Sequence, residues 1–84
     1  MEIVFTDTAK SDLSYWKVSG NIKIQKRISQ LIRSINEDPF HVGKPEPLKH
    51  QLSGTWSHRI TREHRLVYMV KNNVITIIAL LHHY

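Results

Sequence analysis

The fold of this 84-residue chain is decided by residues 56–81, which read WSHRITREHRLVYMVKNNVITIIALL. The stretch holds three short runs rich in β-branched and aromatic residues, at positions 56–61, 64–70 and 74–81. Polar residues separate them at 62–63 and at 71–73. Runs of this composition, bounded by polar turns, are typical of β-strands. The sequence therefore predicts an antiparallel sheet in the second half of the chain.

Side-chain alternation predicts how the first two runs pair. The apolar residues of both runs have even numbers, whereas Arg59 and Arg65 have odd ones. A loop with an odd number of residues, such as 61–63, puts Arg59 opposite Arg65 and gathers the apolar side chains on one face. A two-residue loop would mix core with surface, so we predict the odd loop. Because opposed like charges repel, the arginine pair indicates an anion bound between them.

The first residues predict a strand followed by a helix. Residues 3–5, Ile-Val-Phe, are a short strand candidate. Thr6 or Asp7 can cap a helix in which apolar residues recur at helical spacing, namely Ala9, Leu13 and Trp16. The third run of the second half, 74–81, is apolar on both faces, which favours a central place in the sheet but leaves the register of His83 open.

A second helix follows closely. Gly20 suits a left-handed helix end, and Asn21 can cap the next helix. Asp38-Pro39 ends that helix, because a proline cannot continue its hydrogen bonds. One stripe of the helix is apolar, with Ile32 beside it: Ile24, Ile28, Leu31 and Ile35. We predict one α+β domain over 1–84, in which a short N-terminal strand and an antiparallel helix hairpin pack on the C-terminal antiparallel sheet.

Charge and composition indicate what kind of molecule the protein binds and in which cellular compartment it works. Lys and Arg outnumber Asp and Glu by 12 to 7, which gives a net charge of +5 and a pI near 9.8 and favours a polyanionic target. There is no cysteine, so disulfides and thiolate zinc sites are excluded. No signal peptide pattern precedes the first strand, and the apolar run 74–81 is far shorter than the ~20 residues of a membrane span. We expect a cytoplasmic protein without a membrane segment.

The candidate chemistry lies in Glu46 and in the last two residues. Pro45 and Pro47 flank Glu46 and stiffen its backbone, while His83 and Tyr84 follow the last strand. A carboxylate that accepts a proton, an imidazole that donates one and nearby arginines form a minimal set for cleaving RNA without a metal. Taken separately, each feature has a simpler structural explanation, an exposed connection for 45–47 and a frayed tail for 82–84.

Two other groups compete for a chemical role. Glu63 is a second carboxylate, but its place in a charged turn is typical of a surface residue. Five of the six histidines could gather around a metal, namely His50, His58, His64, His82 and His83. Yet the chain has neither cysteine nor an HExxH pattern nor regular ligand spacing. We therefore predict neither a metal site nor a cofactor.

Longer motifs connect these residues: GKPEPLKH at 43–50, LSG at 52–54, WS at 56–57, RIT at 59–61, EHRLVY at 63–68 and HY at 83–84. In this combination the chain resembles the YoeB-type toxins of the RelE/ParE superfamily over nearly its whole length. The resemblance implies a microbial-ribonuclease-like α+β fold and a ribosome-dependent endoribonuclease that cuts mRNA in the decoding site and inhibits translation. It also implies a YefM-like antitoxin and, often, a homodimer.

The resemblance also assigns roles by position. Glu46 matches the general base that takes the proton of the ribose 2′-hydroxyl, and His83 matches the general acid at the leaving 5′-oxygen. Arg65 matches the cation at the scissile phosphate. The products would be a 5′-hydroxyl and a cyclic or 3′-phosphate end. The remaining assignments concern substrate binding: Lys49 and Arg59 at phosphates, and Tyr84 against a base.

A basic face on the second helix suggests a further contact. Opposite the isoleucine stripe lie Lys23, Lys26 and Arg27, followed by Gln30 and Arg33. Such faces are usually only solvated. In a basic protein that acts on a ribosome, Lys23, Lys26 and Arg27 are also candidates for contact with the rRNA backbone.

Two departures from the resemblance keep alternatives open. Relatives often carry basic residues where this chain has His58 and Leu81. Part of the cationic task could then fall to His58 and His82, or the chain could be an RNA-binding homologue with weakened catalysis. A ParE-like topoisomerase inhibitor shares the fold, but such toxins lack the combination of Glu46 and a terminal histidine. Codon preference and oligomeric state are left open.

Overall fold

The structure is a computed structural model that describes residues 1–40, 45–47 and 54–81. These residues form two helices and one five-stranded sheet of order β1-β5-β4-β3-β2. In chain order the elements are β1 (Glu2–Phe5), α1 (Asp7–Ser19), α2 (Ile22–Glu37), β2 (Glu46–Pro47), β3 (Thr55–Arg59), β4 (Arg65–Lys71) and β5 (Val74–Ala79). The α+β fold class predicted from the sequence is confirmed. No helix within these described ranges is long and apolar enough to cross a membrane.

The helix ends lie where the sequence predicted them. The Thr6 hydroxyl accepts a hydrogen bond from the Ala9 N–H at 3.1 Å and so caps α1. Gly20 ends α1 at φ 72°, in the left-handed region that glycine adopts without strain. The side-chain oxygen of Asn21 then accepts from the Ile24 N–H at 3.1 Å and caps α2. Only two residues therefore join the helices.

The core lies between the helices and one face of the sheet. The α2 stripe is buried as predicted, with Ile28, Leu31 and Ile35 each 2% exposed and Ile24 and Ile32 partly buried. Burial of this apolar area is the main favourable term in folding. The stripe joins a cluster that includes Trp16 of α1, Leu66 and Tyr68 of β4, and Ile75 and Ile77 of β5.

Strand pairing confirms the odd loop. Arg59 of β3 lies directly opposite Arg65 of β4, and Trp56 lies opposite Tyr68. The turn is closed by the His64 carbonyl, which accepts from the N–H groups of Ile60 and Thr61 at 2.9 and 3.1 Å. β5 lies between β1 and β4, so its predicted interior position is also confirmed.

Three features of the sheet differ from the prediction. β1 pairs with β5 in the parallel sense, so the sheet is mixed instead of wholly antiparallel. The segment around Glu46, for which an exposed connection was the simpler structural explanation, forms the short edge strand β2 against β3. The last strand was predicted to reach Leu81 but ends at Ala79, because the main chain of Leu80 is hydrogen-bonded to side chains of α1.

A buried tyrosine links the sheet to the end of α2, and its hydroxyl predicts a pH effect. Tyr68 is fully buried and donates a hydrogen bond to the Pro39 carbonyl oxygen. Burial, together with the charge of Asp38, raises the pKa of Tyr68 to about 12. The unfolded chain ionises near its ordinary pKa of about 10, so stability from this group is present below pH 10 and falls as pH rises towards 12.

Replacing Tyr68 by Phe should lower the free energy of unfolding at pH 8 by about 1–3 kcal/mol, because the partly buried Pro39 carbonyl loses its donor. The gap between wild type and variant should then shrink by about 1 kcal/mol between pH 9 and pH 11. Urea unfolding followed by circular dichroism measures both quantities. A gap that widens with pH would contradict the sign derived for Tyr68.

Candidate active site at the Glu46–Arg65 face

The edge of the sheet brings the candidate base beside the arginine pair. Glu46 of β2 lies opposite Ser57 of β3. Two residues further along β3, on the same face, Arg59 lies opposite Arg65 of β4. β2 can carry a proline in the ladder because it is the outermost strand. Glu46, Ser57 and Arg65 therefore come from three adjacent strands, which hold them on a stiff surface instead of a loop.

An ion pair joins Glu46 to Arg65. The Oε2 atom of Glu46 lies 3.3 Å from Nη2 of Arg65, and the two side chains are 67% and 13% exposed. The Nε of Arg65 donates a hydrogen bond to the Ser57 hydroxyl at 2.8 Å, and Ser57 is fully buried. A guanidinium has five N–H donors, and two contacts leave most of them for an anion. Arg65 is thus oriented by protein groups before any ligand arrives.

Because Glu46 and Arg65 differ in exposure, they suit different chemical roles. The carboxylate of Glu46 is open to solvent and can meet a hydroxyl group from outside. The guanidinium of Arg65 is mostly covered, so its charge is screened by water less than that of a surface arginine. The arrangement can accept a proton at one end and stabilise a developing negative charge at the other.

Arg59 connects this face to the basic helix. Its side chain is exposed, and its carbonyl oxygen accepts a hydrogen bond from Nη2 of Arg27 at 3.2 Å. Lys23 and Lys26 are also exposed on α2. An open groove of about 620 Å³ lies between α2 and the β3–β4 turn. The three cations of α2, Lys23, Lys26 and Arg27, line it together with Ile60 and Thr61 of the turn. The residues predicted as one basic face therefore form one, and it borders the Arg59 end of the site.

Three of the predicted site residues lie outside the described residues: Lys49, His83 and Tyr84. The described chain ends at Leu81, which packs against the core. Leu80 before it is fully buried, with its N–H and carbonyl hydrogen-bonded to α1. Of the residues predicted to take part in chemistry, the structure brings together Glu46, Arg65 and Arg59.

The predicted substitute cation His58 is not on this face. His58 lies opposite Leu66, is 5% exposed, and alternates with Ser57 and Arg59 along β3, so it points to the helix side of the sheet. The hypothesis that His58 takes over a phosphate contact is wrong for that reason. Glu63 is exposed in the β3–β4 turn, where its N–H is hydrogen-bonded to the Thr61 hydroxyl at 3.2 Å.

Three residues that make specific hydrogen bonds here were assigned no role from the sequence, namely Ser57, Asp12 and Trp16. Ser57 has the same strand parity as Arg59 and Arg65, and that register could have placed it beside them. Asp12 and Trp16 hold Leu80 from the buried side of α1. Asp12 interrupts the apolar stripe of α1, and a carboxylate at such a position is a signal for a specific buried partner.

Several known proteins are similar to this chain in both fold and sequence. Solved structures include a YoeB/ParE toxin from Agrobacterium tumefaciens, with a TM-score of 0.93, 38% identity and full coverage of both chains. A YoeB from Staphylococcus aureus, solved in complex with YefM, has a TM-score of 0.85 and 41% identity over 100% of this chain and 98% of that one. A YoeB from S. aureus has also been solved as a dimer, with a TM-score of 0.86 and 40% identity over 100% of this chain and 98% of that one.

Sequence comparison leads to the family. Toxin YoeB of Escherichia coli K12 is 45% identical over 85 aligned residues that cover both chains completely. The family model of the YoeB-like toxins of bacterial type II toxin–antitoxin systems matches residues 5–84. The chain belongs to this family, as the sequence motifs predicted.

Proposed function

We propose that this toxin is a ribosome-dependent mRNA endoribonuclease that cuts in the decoding site and thereby inhibits translation. The observation that supports it most is the contact between Glu46 and Arg65, at 3.3 Å across adjacent strands of the sheet. That contact puts a solvent-accessible carboxylate beside an oriented, mostly covered cation, which is the pairing that 2′-hydroxyl attack on a phosphate needs.

The proposed reaction uses the protein's own groups. Glu46 takes the proton of a ribose 2′-hydroxyl, and the oxygen attacks the adjacent phosphorus. Arg65 stabilises the charge that develops on the phosphate oxygens, with Arg59 and Lys49 at neighbouring phosphates. The bond to the 5′-oxygen breaks as His83 gives that oxygen a proton, while Tyr84 stacks on a base. The products are a 5′-hydroxyl and a 2′,3′-cyclic phosphate, which can open to a 3′-phosphate.

The proposal extends to partners and compartment. A YefM-like antitoxin would neutralise the toxin, in line with a YoeB–YefM complex from S. aureus, and homodimerisation would be in line with a YoeB dimer from S. aureus. Ribosome and mRNA would be the polyanionic targets of a chain with a net charge of +5. Since translating ribosomes are its proposed target, we propose that the protein acts in the cytoplasm.

Mapping of cut sites in translating extracts tests this function. Wild-type toxin and His83→Ala would be added to ribosomes translating a defined mRNA, and the 5′ ends would be mapped by primer extension. We expect wild-type cuts at fixed positions within ribosome-bound codons, no cuts without ribosomes, and loss of cuts with His83→Ala. Uncut mRNA, combined with inhibited DNA supercoiling in a topoisomerase assay, would favour the ParE-like alternative instead.

The basic groove of α2 yields a separate prediction. Replacing Lys23, Lys26 and Arg27 together by Gln should weaken ribosome binding and flatten its salt dependence, because fewer counterions are released from rRNA phosphates. Co-sedimentation with ribosomes across a salt series measures both. The matched control replaces by Gln three lysines that are exposed outside this groove: Lys10, Lys17 and Lys71. An unchanged salt slope for the triple variant would mean that the face is only solvated.

A further inference from the structure

Ser57 lies between the two members of the Glu46–Arg65 ion pair, on the middle one of three adjacent strands. It is directly opposite Glu46 of β2, and on its other side it is opposite Val67, two positions from Arg65 along β4. A cross-strand neighbour offset by two residues is within reach of a long side chain. The guanidinium of Arg65 accordingly extends across β3, with Nε donating to the Ser57 hydroxyl at 2.8 Å and Nη2 lying 3.3 Å from Oε2 of Glu46.

The size and burial of Ser57 suit this crossing. Ser57 is 0% exposed, whereas the side chain of Glu46 beside it is 67% exposed. A serine side chain is short enough to lie beneath the guanidinium and still offers a hydrogen-bond acceptor. An alanine would leave the mostly covered Nε–H without that acceptor, and an unpaired donor in such a place costs free energy.

Ser57 and Glu46 hold Arg65 in different ways. Glu46 holds it by charge, and in the proposed reaction that carboxylate becomes neutral when it takes the 2′-hydroxyl proton. The attraction between Glu46 and Arg65 therefore weakens at the moment when charge develops on the phosphate. The Ser57 hydroxyl is neutral throughout, so its bond to Nε persists and leaves the positive charge of Arg65 available.

The bond at Nε also restricts how Arg65 can meet an anion. A guanidinium binds an anion with two hydrogen bonds either side-on, through Nε and Nη2, or end-on, through Nη1 and Nη2. The side-on arrangement needs the Nε–H that Ser57 already accepts. The end-on arrangement is the one that is compatible with the contact to Ser57.

We propose that Ser57 is a positioning residue for the cleavage reaction. Its hydroxyl holds Nε of Arg65, so that Arg65 meets the scissile phosphate end-on and keeps this orientation after Glu46 is protonated. The proposal rests on the endoribonuclease function proposed above and adds to it a residue that acts only through Arg65.

A double-mutant cycle provides the test, with Ser57→Ala, Arg65→Lys and the two combined. Ser57→Ala removes the acceptor of Nε. A lysine side chain has no Nε–H, so a serine that acts through Nε should matter little in the Arg65→Lys background. Ser19→Ala is the matched control: it is the same substitution, and the Ser19 hydroxyl donates to the Trp16 carbonyl at 2.7 Å at the end of α1.

The measured quantities are the single-turnover cleavage rate on mRNA-programmed ribosomes and the ribosome concentration at half-saturation, at a temperature where circular dichroism shows each variant folded. We expect Ser57→Ala to lower the rate about 10- to 100-fold and to change half-saturation less than about twofold, because a misplaced catalytic group slows the chemical step. In the Arg65→Lys background, Ser57→Ala should change the rate less than about threefold. Ser19→Ala should stay within about twofold of wild type.

Two kinetic results would overturn the proposal. An unchanged or raised rate for Ser57→Ala would mean that Ser57 does not orient Arg65, or that it competes with the phosphate for Nε. An equal loss from Ser57→Ala in the wild-type and Arg65→Lys backgrounds would mean that Ser57 acts independently of the guanidinium.

NMR of the isotopically labelled free toxin separates this proposal from the proposed function. The Nε–H of Arg65 should exchange with water more slowly than that of the exposed Arg59, and Ser57→Ala should abolish the difference. If wild type does not cleave mRNA, the endoribonuclease function fails, while the exchange rate still decides the Ser57 contact. Equal exchange at Arg65 and Arg59 in wild type would reject that contact without the need for any variant.

Discussion

Replacing Glu46 by Gln should lower the single-turnover rate of mRNA cleavage on ribosomes by at least about 100-fold, the usual contribution of a general base. The amide has nearly the shape of the carboxylate and can still accept a hydrogen bond from Arg65, but it cannot take the proton of a 2′-hydroxyl. Glu46 is 67% exposed, so the free energy of unfolding should change by less than about 0.5 kcal/mol. Quench-flow with 5′-labelled mRNA and thermal unfolding measure the two quantities.

The controls for this prediction are the proposed acid and a second carboxylate. His83→Ala should cause a loss of similar size, because both proton transfers belong to one reaction. Glu63→Gln removes the same chemical group from the exposed β3–β4 turn and should change the rate by less than about twofold. A Glu46→Gln toxin that cleaves within about threefold of wild type would show that Glu46 is not the base. A large loss with Glu63→Gln would move the assignment there.

Replacing Arg65 by Ala should lower the cleavage rate about 100- to 1,000-fold, the range found when one oriented donor to a developing negative charge is removed. We expect a larger loss for Arg65 than for Arg59 because of its surroundings. The Arg65 side chain is only 13% exposed, and it contacts Ser57 at 2.8 Å and Glu46 at 3.3 Å. Arg65→Lys should recover only part of the rate, because an ammonium group cannot contact both partners and a phosphate with the planar geometry of guanidinium.

The matched control is the arginine directly opposite. Arg59→Ala removes the same charge from the same sheet face, but an exposed side chain is screened by water and salt, so we expect a loss of about tenfold or less. Since Arg65→Ala leaves the buried Ser57 hydroxyl without its donor, thermal unfolding should accompany the kinetics. An Arg59→Ala variant more impaired than Arg65→Ala would reverse the assignment of the scissile phosphate.

What the sequence by itself determined depends on interactions between near neighbours. The caps at Thr6 and Asn21 and the helix end at Gly20 use hydrogen bonds to residues within about four positions. Their sequence signals are therefore local, and the sequence alone predicts them. The apolar stripe of α2 follows from helical periodicity. The Arg59–Arg65 pair follows from strand alternation across a short loop, because a shift of one residue would have turned every side chain to the other face.

The tertiary structure alone decided the contacts between distant segments. Nothing in the local pattern of 45–47 predicts a strand, since β2 exists only because β3 offers an unpaired edge. The parallel pairing of β1 with β5 and the contact of Glu46 with Arg65 likewise depend on how the helices bring the chain back over the sheet.

One misjudged position and one overlooked position have the same physical origin. His58 is polar and adjacent to Arg59, but strand alternation buries it on the helix side. Asp12 is a charged residue on an apolar stripe, and its partner at Leu80 lies 68 positions away in sequence. Local sequence reports which groups are polar, whereas only packing decides which hydrogen-bond partner each buried group meets, because that partner is brought in by the fold as a whole.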